Sequence, residues 1–555
     1  MVEQLKAEIT KALPSVDANK KAAFLKAREG EKSALVNKNS KEAAFGPLNK
    51  ASGVVNFAKG HWIGGAEKDI KAAKKKLAAA KTEKEREAVK AELAACEKNK
   101  QAGIDKLKGW QADYDRFKVE KPRLDKELKV AKEALANAQP NTIKRQKELG
   151  LDAFLSVDTL DAQLVKYAVI SDATPRGLAT FAQQGAKEQK LIETLLADVP
   201  LMKQMVVADG AKGGKYDKTM QMYTDIQKAS TKAKDGVLQR LALAICLEHA
   251  VPLGQSNPAA KPDLPKFIDP LKRYLHYEKA YLAGELDPAF KDLTVWDYRM
   301  VVTGGESGEI LSWGRKMLRN YRPDHISTPD YRWRYMAVVN TDIQYSYEYR
   351  KQYGDFPELQ KVQDTFRIGG VCGRRANFGR FMLRCFGIPT LARPSRAHAA
   401  LAHWTPKGWV VCLGGGWGVG HTKTPYGKDL NFLANTQARM AGKPFLQVKR
   451  AQWIGADKKI SVSRDGIITI PTTASSKPKN STRKIKFMPS NLGGMQLHYG
   501  RQGGAETFEY TFDAPKAGTY TLTARVVTPS DKQHLLVAAN GAATGLHDKR
   551  MVDVV

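Results

Sequence analysis

Cysteine is scarce in this chain: five residues in 555, with no CxxC pair. That excludes the disulfide framework of a small secreted domain and the usual structural zinc spacings, and it suits a reducing compartment. No run of eighteen apolar residues occurs, and the opening Met-Val-Glu-Gln-Leu-Lys-Ala-Glu has no apolar signal-peptide core, so neither a membrane span nor a leader is expected. The expectation is a soluble protein, cytoplasmic before secreted. A mature exported form without its leader would read the same way, with Asn480-Ser481-Thr482 as a glycosylation acceptor. Acid is also scarce, with 58 Asp and Glu against 90 Lys and Arg, a formal charge of +32. Such a charge attracts nucleic acid, acidic polysaccharide, anionic membrane surfaces or acidic proteins. No RNP-type aromatic signature, zinc finger or basic zipper accompanies it, which argues against a sequence-specific nucleic-acid reader. The Gly414 to Gly420 run lacks the Lys-Ser/Thr ending and following helix of a phosphate loop. No cofactor or metal is expected.

The length predicts several domains, and shifts in composition divide the chain into four regions. Residues 1–150 form a Lys/Ala/Glu-rich helical arm. From Ala66 to Ala138 an intermittent apolar stripe, Ile70, Leu77, Val89, Leu93, Ile104 and Leu107, runs among i,i+4 charge pairs, as in a helical hairpin, a short coiled coil or a solvated helix. Pro122 predicts a kink or an end there. Residues 151–290 read as a helical domain with Leu241–Leu247 as its most apolar run. Residues 291–445 open on a dense aromatic series, from Trp296 to Tyr349, and read as an α+β core. Residues 446–555 alternate as β-strands, at Lys459–Val462, Gly466–Ile470, Phe508–Phe512, Gly518–Val526 and His534–Ala538. The fold class expected is therefore α+β and multidomain.

Within the core region, Gly369-Gly370 delivers Cys372 to the start of an amphipathic helix. Aligned amides at a helix start, together with nearby arginines, favour a thiolate. Gly387 is the left-handed stop of that helix, and Pro389 forbids its continuation. Leu391–Arg393 is short and extended, and Ala397–Trp404 can pair with Trp409–Leu413 across Thr405-Pro406-Lys407-Gly408, which puts His398 on a strand. A thiol at a helix start facing an imidazole is the minimum for acyl chemistry.

Together these residues resemble the transglutaminase-like superfamily of papain-type cysteine enzymes. The resemblance rests on Gly-Val-Cys372, Ala376 four residues on, Arg384 twelve on and Gly387-Ile388-Pro389 from fifteen on. It implies Cys372 as nucleophile and His398, eleven residues before Trp409, as base; His403 stands only six before it. The family's orienting aspartate, a few residues past that tryptophan, has no counterpart in Val410-Val411-Cys412-Leu413-Gly414. From Thr365 to Lys443 the one acid is Asp429, a candidate substitute if the glycine-rich loop folds back. Losing the orienter costs about 10⁴-fold in a serine-protease triad. Ala514-Pro515-Lys516-Ala517-Gly518-Thr519-Tyr520-Thr521-Leu522 in turn resembles a strand entry of carbohydrate-binding-module-like β-sandwiches, here small, incomplete or completed by a partner chain.

Two functions follow from these readings. One is a thiol acyltransferase or amidohydrolase acting on a protein or peptide amide. The other is a catalytically inactive transglutaminase-like scaffold or a polyanion-binding structural protein with an acidic polymer as partner, using the helical arm, a basic cleft carrying Arg374, Arg375 and Arg396, and the C-terminal β region. Self-association through the arm or the C-terminal region is compatible with either.

Overall fold

In a computed structural model the described residues are 1–257, 263–331, 333–346, 356–394, 399–412, 436–455, 461–462, 468–470, 485–489, 495–499, 510, 534–540 and 547–553. The chain divides into two compact units, residues 1–457 with 491–493, and residues 458–490 with 494–555. Among the described residues the protein is mostly helical, with one three-stranded antiparallel sheet and three two-stranded ladders.

The first unit begins with helix α1 (Val2–Ala12), whose Leu5 and Ile9 are buried in the main core. The chain then leaves that core as a long arm. Its outgoing limb comprises α2 (Ala18–Ala44), α3 (Gly46–Phe57), a π-helical segment at Ala58–Ile63 and α4 (Gly64–Ala79); its return limb is the single helix α5 (Glu83–Glu148). At 1.5 Å per residue, α5 is about 100 Å long. The turn between the limbs is fixed by a capping box at Thr82 and Glu85.

The limbs run antiparallel in constant register. Thr142 donates to the Ala27 carbonyl, Lys41 pairs with Glu127, Glu67 with Lys100 and Lys76 with Glu92, so each step forward on one limb is matched by a step back on the other. Along α5 the inward residues alternate in steps of four and three: Val89, Leu93, Cys96, then Gly103, Leu107, Trp110, Tyr114, Phe117, then Leu124, Leu128, Ala131. That spacing is the heptad seam of a coiled coil. Small residues let the limbs close on each other: a Cβ at Gly103 would stand 3.0 Å from the Trp62 Cβ, opposite the π segment. The helix continues through Pro122 and Pro140. Both prolines are exposed, so the ladder bonds they forfeit lie on the solvent side, while the seam holds the backbone from the other.

In the main body, α6 (Asp161–Ala173), α7 (Val199–Val207) and α8 (Tyr216–Ala229) precede α9 (Gly236–His249), in which Leu241 to Leu247 are wholly buried. Around α9 pack α8, α10 (Pro270–Leu282) and α11 (Val295–Val302). Next come α12 (Gly308–Tyr321), α13 (Lys361–Ile368) and α14 (Cys372–Cys385). Strands β1 (Thr390–Pro394), β2 (Ala399–Thr405) and β3 (Gly408–Cys412) form the sheet in the order β1-β2-β3, with Thr390 opposite His403 and Trp404 opposite Trp409. The sheet lies against α14. Helix α15 (Lys443–Ile454) returns to the region of α6, where Arg450 grips Asp161 through two bonds of 2.7 and 3.0 Å and Trp453 is buried. One continuous hydrophobic cluster thus runs from Leu5 to Trp453. It crosses the compositional boundary near 290 and carries this unit past residue 446.

In the second unit the ladders pair Ser461–Val462 with Ile468–Thr469, Ile485–Pro489 with Met495–Tyr499, and His534–Asn540 with His547–Asp553. The expected strand Gly518–Val526 lies outside the described residues, as does Phe508–Phe512 apart from Tyr510, which is in no strand.

Candidate functional site

Cys372 is the first residue of α14. The turn that presents it needs its glycines: Gly369 has φ +75° and donates no side chain, because a Cβ there would stand 2.2 Å from the Gln344 carbonyl oxygen. Gly370 donates its N–H to that same carbonyl at 3.0 Å, and a Cβ on it would strike the Arg374 side chain at 2.5 Å. The segment around Gln344 is thereby pinned within a few residues of the thiol. Val371 supplies no side-chain cap, so the first-turn amides of α14 are left for other partners. Cys372 is half-buried, whereas Cys246 and Cys385 are fully buried and burial pushes both thiols well up. Cys96, also half-buried, lies on the arm seam.

The far end of α14 closes as the local chemistry predicts. The Gly387 N–H donates to Arg384 and the Ile388 N–H to Leu383, a Schellman pair around a glycine at φ +74°. The hairpin that follows turns at Pro406-Lys407, where the Thr405 hydroxyl donates to the Gly408 carbonyl at 2.7 Å and accepts from the Lys407 N–H.

Of the remaining predicted site residues, His398, Arg396 and Asp429 lie outside the described residues. So do the glycine-rich run and residues 413–435 generally. His403, the other histidine of the hairpin, is wholly buried on β2; burial lowers its pKa to about 4, against a hydrogen bond that its ring donates to the Tyr331 backbone carbonyl, which raises it. It is committed to the interior.

The arginines of α14 face several different partners. Arg374 is buried. Arg375 donates to the Val339 carbonyl at 2.6 Å and lies 5.8 Å from the Tyr345 ring centroid, with its pKa lowered by burial. Arg380 donates to Asn377, and burial beside Arg384 lowers it to about 10. Arg384, the arginine of the sequence motif, pairs with Glu306 at 3.2 Å in the interior, where the Tyr277 hydroxyl also donates to its carbonyl. Burial pushes the Glu306 carboxyl up, but Arg384 and Arg273 outweigh it and hold the carboxyl below its usual range. Arg273 in turn donates to the Gly304 and Glu306 carbonyls, fixing the loop between α11 and α12. Three of the positive charges of the Thr365–Lys443 stretch are answered by acids outside it: Glu306 for Arg384, Asp364 for Arg367 and Asp209 for Arg439.

Sequence reasoning did not find Glu306 or Asp287. Asp287 accepts from the Tyr331 and Tyr335 hydroxyls, from Arg334 and from the Ala289 N–H. The aromatic series before Cys372 therefore serves in part to bury one carboxylate. Among the described residues no group of three or more His, Cys, Asp or Glu could hold a metal, and no helix is long and apolar enough to cross a membrane.

No family model, curated protein or solved structure matches this chain.

Proposed function

We propose that residues 291–445 form a transglutaminase-like cysteine module in which the Cys372 thiol performs acyl transfer or amide hydrolysis with His398 as its base. The observation that carries the reading is the placement of Cys372: half-buried, at the first turn of a helix that packs on a three-stranded antiparallel sheet. Open first-turn amides suit an oxyanion, and β2 begins at Ala399, the residue after His398. His403, five residues along the hairpin from His398, is already committed to the core. In the reaction the thiolate sulfur adds to a side-chain or peptide amide carbon, the imidazolium gives its proton to the leaving amine, and an amine or water then releases the acyl group.

A second reading, an inactive scaffold of the same fold, is favoured by one observation. The family's aspartate position falls in Val410 to Leu413, which contains no acid or amide.

The two readings separate in a single assay. The full chain is incubated with a glutamine-containing peptide, a labelled primary amine and buffer, and the peptide is followed by mass spectrometry for amine incorporation and for loss of ammonia with gain of water. Activity in the parent chain that is abolished by Cys372→Ser and by His398→Ala supports the enzyme. Activity unchanged in Cys372→Ser overturns it, and no turnover in the parent chain favours the scaffold.

A further inference from the structure

We infer that the outward face of α4, near the tip of the arm, is a docking surface for the phosphate backbone of double-stranded nucleic acid, bound by charge and without base readout. This stands apart from the chemistry at Cys372. Lys68, Lys71 and Lys75 lie at i, i+3 and i+7 on α4, with Lys74 on their flank, and all four are exposed. Ala66 and Ala73, on the opposite side, are buried in the seam. Among the described residues none of the four lysines has an ion-pair or hydrogen-bond partner. Most of the nearby acids are engaged elsewhere, Glu67 with Lys100, Glu92 with Lys76, Glu87 with Lys90 and Glu85 in the cap at Thr82, while Asp69 is the one exposed acid on α4 close to the row. From Ile70 to Thr82 the chain contains no acid at all. Between Lys68 and Lys75 the other exposed positions are Asp69 and Ala72, so no bulky apolar side chain keeps a ligand off the helix.

The stripe selects its partner by what it offers. Its lysines span about 10 Å of a straight helix, rising 1.5 Å per residue. The seam with α5 holds that row rigid, which suits a stiff duplex carrying about one charge per 1.7 Å of axis. There is no aromatic side chain on this face, so it lacks the stacking platform of a single-strand binder. It also lacks the Trp, Phe or Leu by which an interfacial helix enters a bilayer. The basic residues of the core make a poorer surface, since Arg374 and Arg384 are buried and Arg384 is paired.

The test uses the full chain and a fluorescein-labelled 30-base-pair duplex of random sequence, read by fluorescence anisotropy between 50 and 200 mM NaCl. The stripe variant carries Lys68→Gln, Lys71→Gln, Lys74→Gln and Lys75→Gln, changes that nearly preserve helix propensity. The control carries the same charge change at the exposed Lys20, Lys21, Lys26 and Lys144 at the other end of the arm. Circular dichroism confirms that both variants keep their helix content. The expected result is binding at least about tenfold weaker in the stripe variant, with the slope of log affinity against log salt reduced by about 3, since each phosphate contact contributes about 0.9. The control should lose less than twofold. The proposal is overturned if stripe and control fall equally, if the slope is unchanged, if a dT30 single strand binds more tightly than the duplex, or if heparin or phosphatidylserine vesicles are bound while the duplex is not.

Discussion

Glu306 and Arg384 are 78 positions apart in the chain and 3.2 Å apart in the interior, each less than a tenth exposed. Arg384 thereby ties the helix that begins with Cys372 to the loop that Arg273 holds between α11 and α12.

Removing one member of a buried pair strands the other. Arg384→Met should cost about 3–5 kcal/mol. Glu306→Gln should cost more, because it leaves Arg384 and its neighbour Arg273 facing each other without the carboxylate. Combining Arg384→Met with Glu306→Leu should recover part of the loss relative to Arg384→Met alone. Urea denaturation of the three variants measures the order, and equal stability of parent and single variants would show that the pair is idle.

Acid should destabilise the fold in a defined window. Burial lowers His403 and His249 to about 4, and burial beside Arg315 lowers His276 to about 3. Below 6.5 the unfolded chain protonates these imidazoles while the folded chain does not. The unfolded state therefore binds more protons, and stability falls as pH drops from 6.5 towards 4, by up to about 1.4 kcal/mol per pH unit per histidine. The loss should level off below the folded values. Urea midpoints between pH 7 and pH 4 follow it, and His403→Gln should make the slope shallower.

Thiol accessibility should sort the cysteines. Cys372 and Cys96, half-buried, should be alkylated by iodoacetamide in the native protein, and Cys246 and Cys385 only after denaturation. Peptide mapping at timed quenches reads this directly. Native labelling of Cys372 no faster than that of Cys385 would remove the support for a reactive thiol.

The stop of α14 should not accept a side chain. At Gly387 the backbone is left-handed, and a Cβ would meet the Phe290 ring at 2.5 Å. Gly387→Ala should cost well over 1 kcal/mol, beyond the usual penalty for alanine at positive φ. Gly373→Ala on the same helix, with nothing within 4 Å of the added Cβ, should be neutral or slightly stabilising. Thermal melts of the two variants compare them.

What the sequence revealed was local. Gly387 and Pro389 mark the end of α14, and Pro406-Lys407 the hairpin turn, because backbone conformation there depends on residues within reach of one turn. Glu306 could not be found in this way, since nothing near it in sequence signals an arginine 78 residues away. The arm shows a related effect. Its seam uses Cys96, Gly103 and Ala131 as well as leucines, with Lys100 and Lys121 standing between its stretches, so an apolar-residue reading sees an interrupted stripe where the heptad phase is kept. Pro122 carries a true local penalty, and packing along the seam overrides it. For the candidate site, the Cys372 turn was legible from two glycines, whereas the residues that would complete a triad were legible only through a resemblance.

The arm is inserted into the body rather than appended to it. Helix α1 is already part of the main core, packed on α6, before the chain departs at α2 and returns at the end of α5. Its two roots meet where Thr142 bonds Ala27, so the excursion begins and ends at neighbouring points. A connection of about 2–8 residues, the ordinary length between packed helices, could therefore replace it without displacing α1. For the same reason, matched heptads could be removed from or added to both limbs to change how far Lys68 to Lys75 reach, with the rest of the molecule unaffected.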